Sequence, residues 1–242
     1  MRRATIGSLD LAVIDEHNAD TQFLYEETFV SQIYQHKEMW FPSNPTIMDV
    51  GANIGVYTIW AHRQYRPRAI YCYEASPRTF TYLEDNVRRL VDQDITKVAL
   101  FNQAVASRSG ETLVLHQPTN ISGLATLLDE KQVTWLADAA AAKELETYDV
   151  TTTTVSEQIA AHGIAQVDML KIDVEGYFLE VLKGIAPHDV GKIRNMAIEL
   201  DFLPETGIRP DDVEAMLHGM GFRTDCLDRS LDNNLIFHAW RA

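Results

Sequence analysis

The stretch Ile47-Met48-Asp49-Val50-Gly51-Ala52-Asn53-Ile54-Gly55 constrains this chain more than any other. A short apolar run ends in an acid, a glycine-spaced turn follows, and Val56 to His62 continues with helical patterning. A strand feeding a helix through so tight a turn opens an α/β sheet, and a nucleotide-like ligand lies on the loop between them. Glycine is needed there because a side chain would hold the backbone off the ligand. Asn53 stands where a dinucleotide-binding loop carries its second glycine, and asparagine tolerates a left-handed backbone. No Lys-Ser/Thr follows to grip a phosphate, which argues against ATP or GTP.

The remaining pattern extends this unit. Expected strands are Thr46–Val50, Ala69–Tyr73, Val98–Phe101, Thr112–His116, Val150–Thr154, Val167–Ile172 and Ile193–Leu200. Expected helices are Ile54–Gln64, Pro77–Val91, Val155–His162, Phe178–Lys183 and Pro210–His218. Such alternation implies a mainly parallel sheet with helices on both faces. Phe222–Leu227 and Leu235–Trp240 are joined by a short polar turn, so they close the sheet as an antiparallel pair. Residues 1–45 form an N-terminal extension, free to act as a lid or dimer element, with a strand at Leu9–Ile14 and a helix over Asp20–His36 capped by Asp20. Residues 46–242 form the main domain. Residues 117–148 break the alternation, contain an Ala-rich helical piece (Trp135–Leu145), and are expected to be an insertion or lid.

Composition bounds the partners. The 242 residues suit one α/β domain plus the extension. The formal net charge of −14 makes nucleic acid an unexpected partner. No apolar run is long enough to span a bilayer, and Cys72 and Cys226 form no metal-spaced pair, so a cytoplasmic protein with no membrane partner is expected. A homo-oligomer is compatible with the chain.

Acidic residues recur at strand ends after the glycine turn. Glu74 lies at the carboxyl end of the second strand of the main sheet, 23 positions after Gly51, where an acid accepts hydrogen bonds from ribose hydroxyls. Asn102 and Gln103 end the next strand, and their amides offer donors and acceptors to an adenine rim. Further on, Lys171-Ile172-Asp173-Val174-Glu175-Gly176 brings two carboxylates and a lysine to the end of a central strand, where an open sheet binds ligands. In an extended backbone Lys171, Asp173 and Glu175 share one face. Burying such charges is costly unless they pair or bind a ligand, so they are placed to hold an ammonium group or act as a base. Glu199 and Asp201 add acid near the same cleft. A magnesium ion on Asp173, Glu199 or Asp201 is conceivable, but no ligand spacing demands one, and no metal is expected.

These segments, with Tyr73-Glu74-Ala75-Ser76-Pro77, Asn102-Gln103-Ala104-Val105 and Ser122-Gly123-Leu124-Ala125-Thr126-Leu127, resemble the FkbM family of S-adenosylmethionine-dependent methyltransferases over residues 46–240. The resemblance implies a class I methyltransferase fold: Rossmann-like, with a seven-stranded, mostly parallel sheet ending in an antiparallel hairpin. It implies that Asp49, Gly51, Asn53 and Gly55 shape the pocket for the methionine part and ribose edge, that Glu74 binds the ribose, and that Asn102 and Ala104 border adenine. It places Asp173 near the cofactor's amino-acid end and Glu175 facing the sulfonium and the acceptor. Tyr177-Phe178 depart from the family pattern of a small residue and an acid.

The expected activity is methyl transfer from S-adenosylmethionine to a hydroxyl of a small-molecule acceptor by in-line displacement, with S-adenosylhomocysteine as product. Glu175 is the expected general base, tuned by Lys171. His116 and His36 are reserve bases, and His162 is expected to meet only its helix dipole. Tyr25, Tyr34, Trp40, Trp135, Tyr148, Tyr177 and Phe178 lie in segments able to roof the cleft. The alternatives are C- or N-methylation on the same fold, or a non-catalytic cofactor-binding module. A dehydrogenase lacks the full three-glycine fingerprint.

Overall fold

The computed structural model describes residues 1–119, 121, 123–129, 144–201, 206–229 and 234–241. An N-terminal hairpin of β1 (Arg2–Ile6) and β2 (Leu9–Val13) leads into α1 (Ala19–Tyr25). Then come β3 (Thr46–Val50), α2 (Val56–Tyr65), β4 (Ala69–Tyr73), α3 (Pro77–Leu90) and β5 (Lys97–Phe101). Three further strands, β6 (Ala104–Val105), β7 (Thr112–Pro118) and β8 (Leu145–Thr153), form a small side sheet. The second half runs α4 (Val155–Ala161), β9 (Met169–Ile172), α5 (Phe178–Lys183), β10 (Asn195–Leu200), α6 (Pro210–Gly219), β11 (Arg223–Arg229) and β12 (Asn234–Trp240).

The main sheet has the order β11-β12-β10-β9-β3-β4-β5. Its middle strands are parallel, and β12 is antiparallel to both β10 and β11. Both faces are covered. Along β3, Ile47 packs into the layer formed with α2, α3 and the N-terminal segment, while Met48 packs into the layer formed with α4, α5 and α6. Both side chains are fully buried, which is why apolar residues stand at consecutive positions of the strand rather than alternating with polar ones. From β3 the chain winds outward through β4 and β5, then returns to add β9 and β10 on the other side. The switch between β3 and β9 opens a crevice above the strands' carboxyl ends.

The extension departs from its expected form. β1 was not anticipated; it pairs with β2 across a turn containing Gly7, whose φ is +54°. The single helix expected over Asp20–His36 is instead α1 followed by a π-helical turn, Glu26–Ser31, ended by Gln32 at φ 52°. Asp20 does not cap it. Asn18 occupies the cap position with φ 60°, and Asp15 takes the capping role by accepting from the Asp20 amide (3.2 Å) and the Thr21 hydroxyl (2.6 Å). Asn86 of α3 fastens the hairpin to the domain: it accepts from the Ala12 amide at 2.7 Å and donates to the Ala12 and Ile54 carbonyls at 3.0 and 2.8 Å.

The segment 117–148 also departs from expectation at its ends. Pro118 pairs with Leu145, so β7 and β8 continue as an antiparallel ladder into what was expected to be an insertion. The helical piece Trp135–Leu145 lies outside the described residues except for Glu144 and Leu145, and Leu145 opens β8. Among the described residues no helix is long and apolar enough to cross a membrane.

Candidate active site

A cleft of about 190 Å³ lies over the carboxyl ends of β3, β4 and β9. Its floor includes Gly51, Asn53, Glu74, Ala104, Asp173 and Glu175; Gln103, Tyr177 and Glu199 border it. The outer wall comes from α1 and its π turn (Asp20, Phe23, Leu24, Glu27) and from the loop bearing Gly123, Leu124, Ala125 and Leu127. That loop is tied at both ends: the Gly123 amide donates to Asp20 at 3.3 Å, and the Thr126 hydroxyl to the Glu175 carbonyl at 2.7 Å.

The glycine turn is shaped as its sequence requires. Gly51 has φ +78°, and a Cβ there would overlap the carbonyl oxygen of Asp173, so only glycine lets the β3 loop pass the end of β9. Asn53 is left-handed at φ 49°, and its side-chain oxygen accepts from the Ile54 amide at 2.7 Å. Gly55 has another role. It caps α2 at φ 91°, and a Cβ there would press on Leu83 of α3; it does not border the cleft.

Glu74 is buried at the cleft floor. One carboxylate oxygen accepts from the Ser76 amide at 2.8 Å and the other from the Asn53 amide at 2.9 Å. Burial nevertheless pushes its pKa up to about 7, against the pull of these two amides. Asn102 does not reach the cleft. Its amide donates to the Glu74 and Ala75 carbonyls at 2.8 and 3.0 Å, stapling β5 to the loop after β4, and leaves the rim to Gln103 and Ala104.

Lys171 and Asp49 belong beneath the site rather than in it. Lys171 is 2% exposed; its ammonium lies 2.6 Å from the Gly51 carbonyl, 3.0 Å from Asp173 and 3.4 Å from Asp49. Burial works against this charge, but Asp173 and Asp49 outweigh it and hold the ammonium above its usual range. Asp49, fully buried, also accepts from Thr58 of α2 at 2.6 Å; burial raises its pKa, opposed by Lys171 and Thr58. Together they lock the glycine loop to β3, α2 and β9. The direct partners of the Lys171 ammonium are thus Asp173, Asp49 and the Gly51 carbonyl; it makes no ion pair with Glu175.

The acids after β9 do not share one extended face. The strand ends at Ile172, and Glu175 and Gly176 turn left-handed at φ 49° and 87°. The turn sends Glu175 into the cleft, where burial and then Asp201, Asp173, Glu199 and Asp20 hold its carboxyl well above the usual carboxylate range. Tyr34, from beyond the π turn, spans two of these acids: its hydroxyl is 3.1 Å from Asp173 and 3.3 Å from Glu199. Among the other aromatic residues expected near the roof, Tyr177 borders the cleft, Phe178 is core, and Trp40 packs on Arg194. Trp135 lies outside the described residues. Phe23, Leu24 and Glu27 were not anticipated as wall residues; their helical spacing was visible, but spacing alone does not say which face meets a cleft.

The reserve histidines lie elsewhere. His36 stacks on Trp240 and pairs with Asp225 at 3.0 Å. His162 meets Gln158 at 3.1 Å and the Tyr71 and Phe101 rings, so it does more than end a helix. His116 sits in β7, bridged to Thr126. Among the described residues no group of three or more His, Cys, Asp or Glu side chains is gathered to hold a metal ion.

A seven-stranded sheet in this order, with its reversed final hairpin and a glycine-turn cleft at the switch point, defines a class I methyltransferase fold. The chain belongs to the FkbM methyltransferase family: the family model described as Methyltransferase FkbM domain matches residues 49–224. It is 30% identical over 221 residues to methyltransferase sdnD of Sordaria araneosa, covering 84% of this chain and 82% of that protein. It is 29% identical over 225 residues to the 31-O-demethyl-FK506 methyltransferase FkbM of Streptomyces tacrolimicus, with the same coverage of 84% and 82%. Among solved structures, Trm5b from Pyrococcus abyssi aligns with a TM-score of 0.49 at 10% identity, covering 98% of this chain and 55% of that one.

Proposed function

We propose that this methyltransferase moves a methyl group from S-adenosylmethionine to a hydroxyl of a small-molecule acceptor, with Glu175 taking the hydroxyl proton. The observation that carries the reading is the position of Glu175: a carboxyl turned into the cleft by a left-handed backbone and crowded by acids that raise its proton affinity. A base with proton affinity above that of an ordinary carboxylate is better matched to a hydroxyl proton.

The donor set fits the cofactor. Glu74 offers a carboxylate held by two amides to a pair of hydroxyls, and Asp173 offers an anion to an ammonium group. Gln103 and Ala104 border the space beside Glu74, where a base edge would lie. When bound, S-adenosylmethionine supplies an electrophilic methyl on a sulfonium and leaves as S-adenosylhomocysteine. The protein's part is alignment, water exclusion and proton acceptance.

The acceptor side is apolar and acidic. Phe23, Leu24, Leu124 and Leu127 face it alongside Asp20 and Glu27, and no Lys, Arg or His is among the described residues lining the cleft. This favours a neutral acceptor over one carrying phosphate or carboxylate. The name of the Streptomyces relative, a 31-O-demethyl-FK506 methyltransferase, agrees with oxygen as the target.

The test is Glu175→Gln with a panel of neutral alcohols, reading S-adenosylhomocysteine formation and, separately, cofactor affinity by calorimetry. Turnover is expected to fall about 100-fold, with affinity changed only a few-fold. Undiminished turnover would remove Glu175 as the base.

A further inference from the structure

The family domain begins at residue 49, yet residues ahead of it complete the cleft. Tyr34, behind the outer wall, meets two of the cleft's acids directly. It is 4% exposed, and its hydroxyl lies 3.1 Å from Asp173 Oδ2 and 3.3 Å from Glu199 Oε2. Asp173 follows β9 and Glu199 belongs to β10, so one phenol spans neighbouring strands at their carboxyl ends. Its ring is held edge-on against Tyr57 at 5.2 Å, with the Lys171 ammonium 5.5 Å from its centroid.

Proton counting shows what the contact requires. A phenol carries one proton and two lone pairs. Burial, with Asp173, Glu199 and Glu27 nearby, keeps Tyr34 neutral by raising its pKa far above the ordinary value. Asp173 Oδ2 also pairs with the Lys171 ammonium at 3.0 Å. If the hydroxyl proton goes to Asp173, the contact with Glu199 is favourable only when Glu199 gives a proton of its own to the phenol oxygen. If it goes to Glu199, Asp173 keeps the lysine. Either way the phenol relieves repulsion between two acids. Both line the cleft with Glu175 and raise its proton affinity, as does Asp20 of α1; Asp201, just past β10, adds to the same field.

We propose that Tyr34 is a positioning residue: its hydroxyl ties Asp173 and Glu199 together across β9 and β10 and so sets the proton affinity of Glu175. Its consequence for turnover rests on the reading of Glu175 as base. Removing the hydroxyl leaves the two acids less neutralised, and a stronger negative field raises the proton affinity of a neighbouring carboxyl.

The experiment uses the full chain with ¹³C-labelled carboxyl groups in Asp and Glu, titrated by NMR without ligand. The Glu175 resonance is assigned by its loss in Glu175→Gln. In Tyr34→Phe its midpoint is expected to rise by about half a pH unit, with the acid limb of the turnover profile moving equally. In Glu199→Gln it is expected to fall, and adding Tyr34→Phe to that background is expected to move it much less. An unmoved Glu175 midpoint in folded Tyr34→Phe overturns the proposal. If that variant does not fold, an unmoved Glu175 midpoint in folded Tyr34→Leu, which removes the hydroxyl without adding volume, does so instead. A midpoint that moves while Glu175→Gln keeps full turnover supports the role of Tyr34 and refutes Glu175 as the base.

Discussion

The proton on Glu74 makes cofactor binding depend on pH in a way that can be worked out in advance. Burial pushes its carboxyl up to about 7 in the folded protein, from an ordinary value of 4.5. That displacement corresponds to about 3 kcal/mol of disfavoured ionisation. Hydroxyl groups of a ligand donate to the ionised form, so below pH 7 binding must first expel a proton. Apparent affinity for S-adenosylhomocysteine is then expected to weaken as pH falls below 7, approaching tenfold per unit. Calorimetry from pH 5.5 to 8.5, in buffers of different ionisation enthalpy, reads both the affinity and the number of protons released, expected near one half at pH 7. Glu74→Gln is expected to bind more weakly and to lose that slope. The same group gives a stability test of fixed sign. A carboxyl whose folded pKa is raised contributes stability that is fully present below 4.5 and lost as pH rises through about 7. The melting-temperature advantage of the unliganded wild type over Glu74→Gln should therefore shrink between pH 5 and pH 8. If Glu74→Gln keeps the wild-type pH slope of binding, the proton belongs to another group and the reasoning fails.

Two further predictions concern the scaffold. Lys171→Met leaves fully buried Asp49 and its neighbour Asp173 without their ammonium; urea denaturation should show a loss of about 3–5 kcal/mol, partly restored by adding Asp49→Asn. Asn86→Ala strips three buried hydrogen bonds to Ala12 and Ile54. It should cost about 3 kcal/mol and speed proteolysis within residues 1–18 more than elsewhere.

The centre of the main sheet was legible because β3, β9 and β10 are buried on both faces. Ala69–Tyr73 and Phe178–Lys183 match their expected bounds, and α3 starts at Pro77 behind a Ser76 cap that accepts from the Thr79 amide. β1 was not legible: four of its five residues retain exposure, so no apolar run marks it. β6 is two residues long and carries no period at all. In the site, glycine geometry and the acid at position 74 were readable because backbone turns dictate residue type. Side-chain direction was not readable. Lys171 turns back under the loop and Asn102 spends its amide on two carbonyls, although both sit where spacing puts a ligand contact. Tyr34 meets acids 139 and 165 positions away in sequence, a contact no local pattern encodes.

The acids of the cleft have one explanation that covers both binding and chemistry. Asp20, Glu27, Glu74, Asp173, Glu175 and Glu199 all border it, and the buried lysine beneath is occupied by Asp49 and Asp173. A dinucleotide would bring a pyrophosphate into that field, and like charges in a partly desolvated cleft cost several kcal/mol. A ligand with an ammonium and a sulfonium is drawn by the same field, and its positive charge favours the ionised form of Glu175 that a base requires. In the proposed reaction Glu175 gives up its negative charge as it takes the acceptor proton, in the same event that discharges the sulfonium. One positive and one negative charge disappear together, and a cleft walled by Phe23, Leu24, Leu124 and Leu127 favours that neutralisation more than water does. The apolar wall and the acidic floor therefore act on the same step, the floor by holding the charges before it and the wall by favouring their loss.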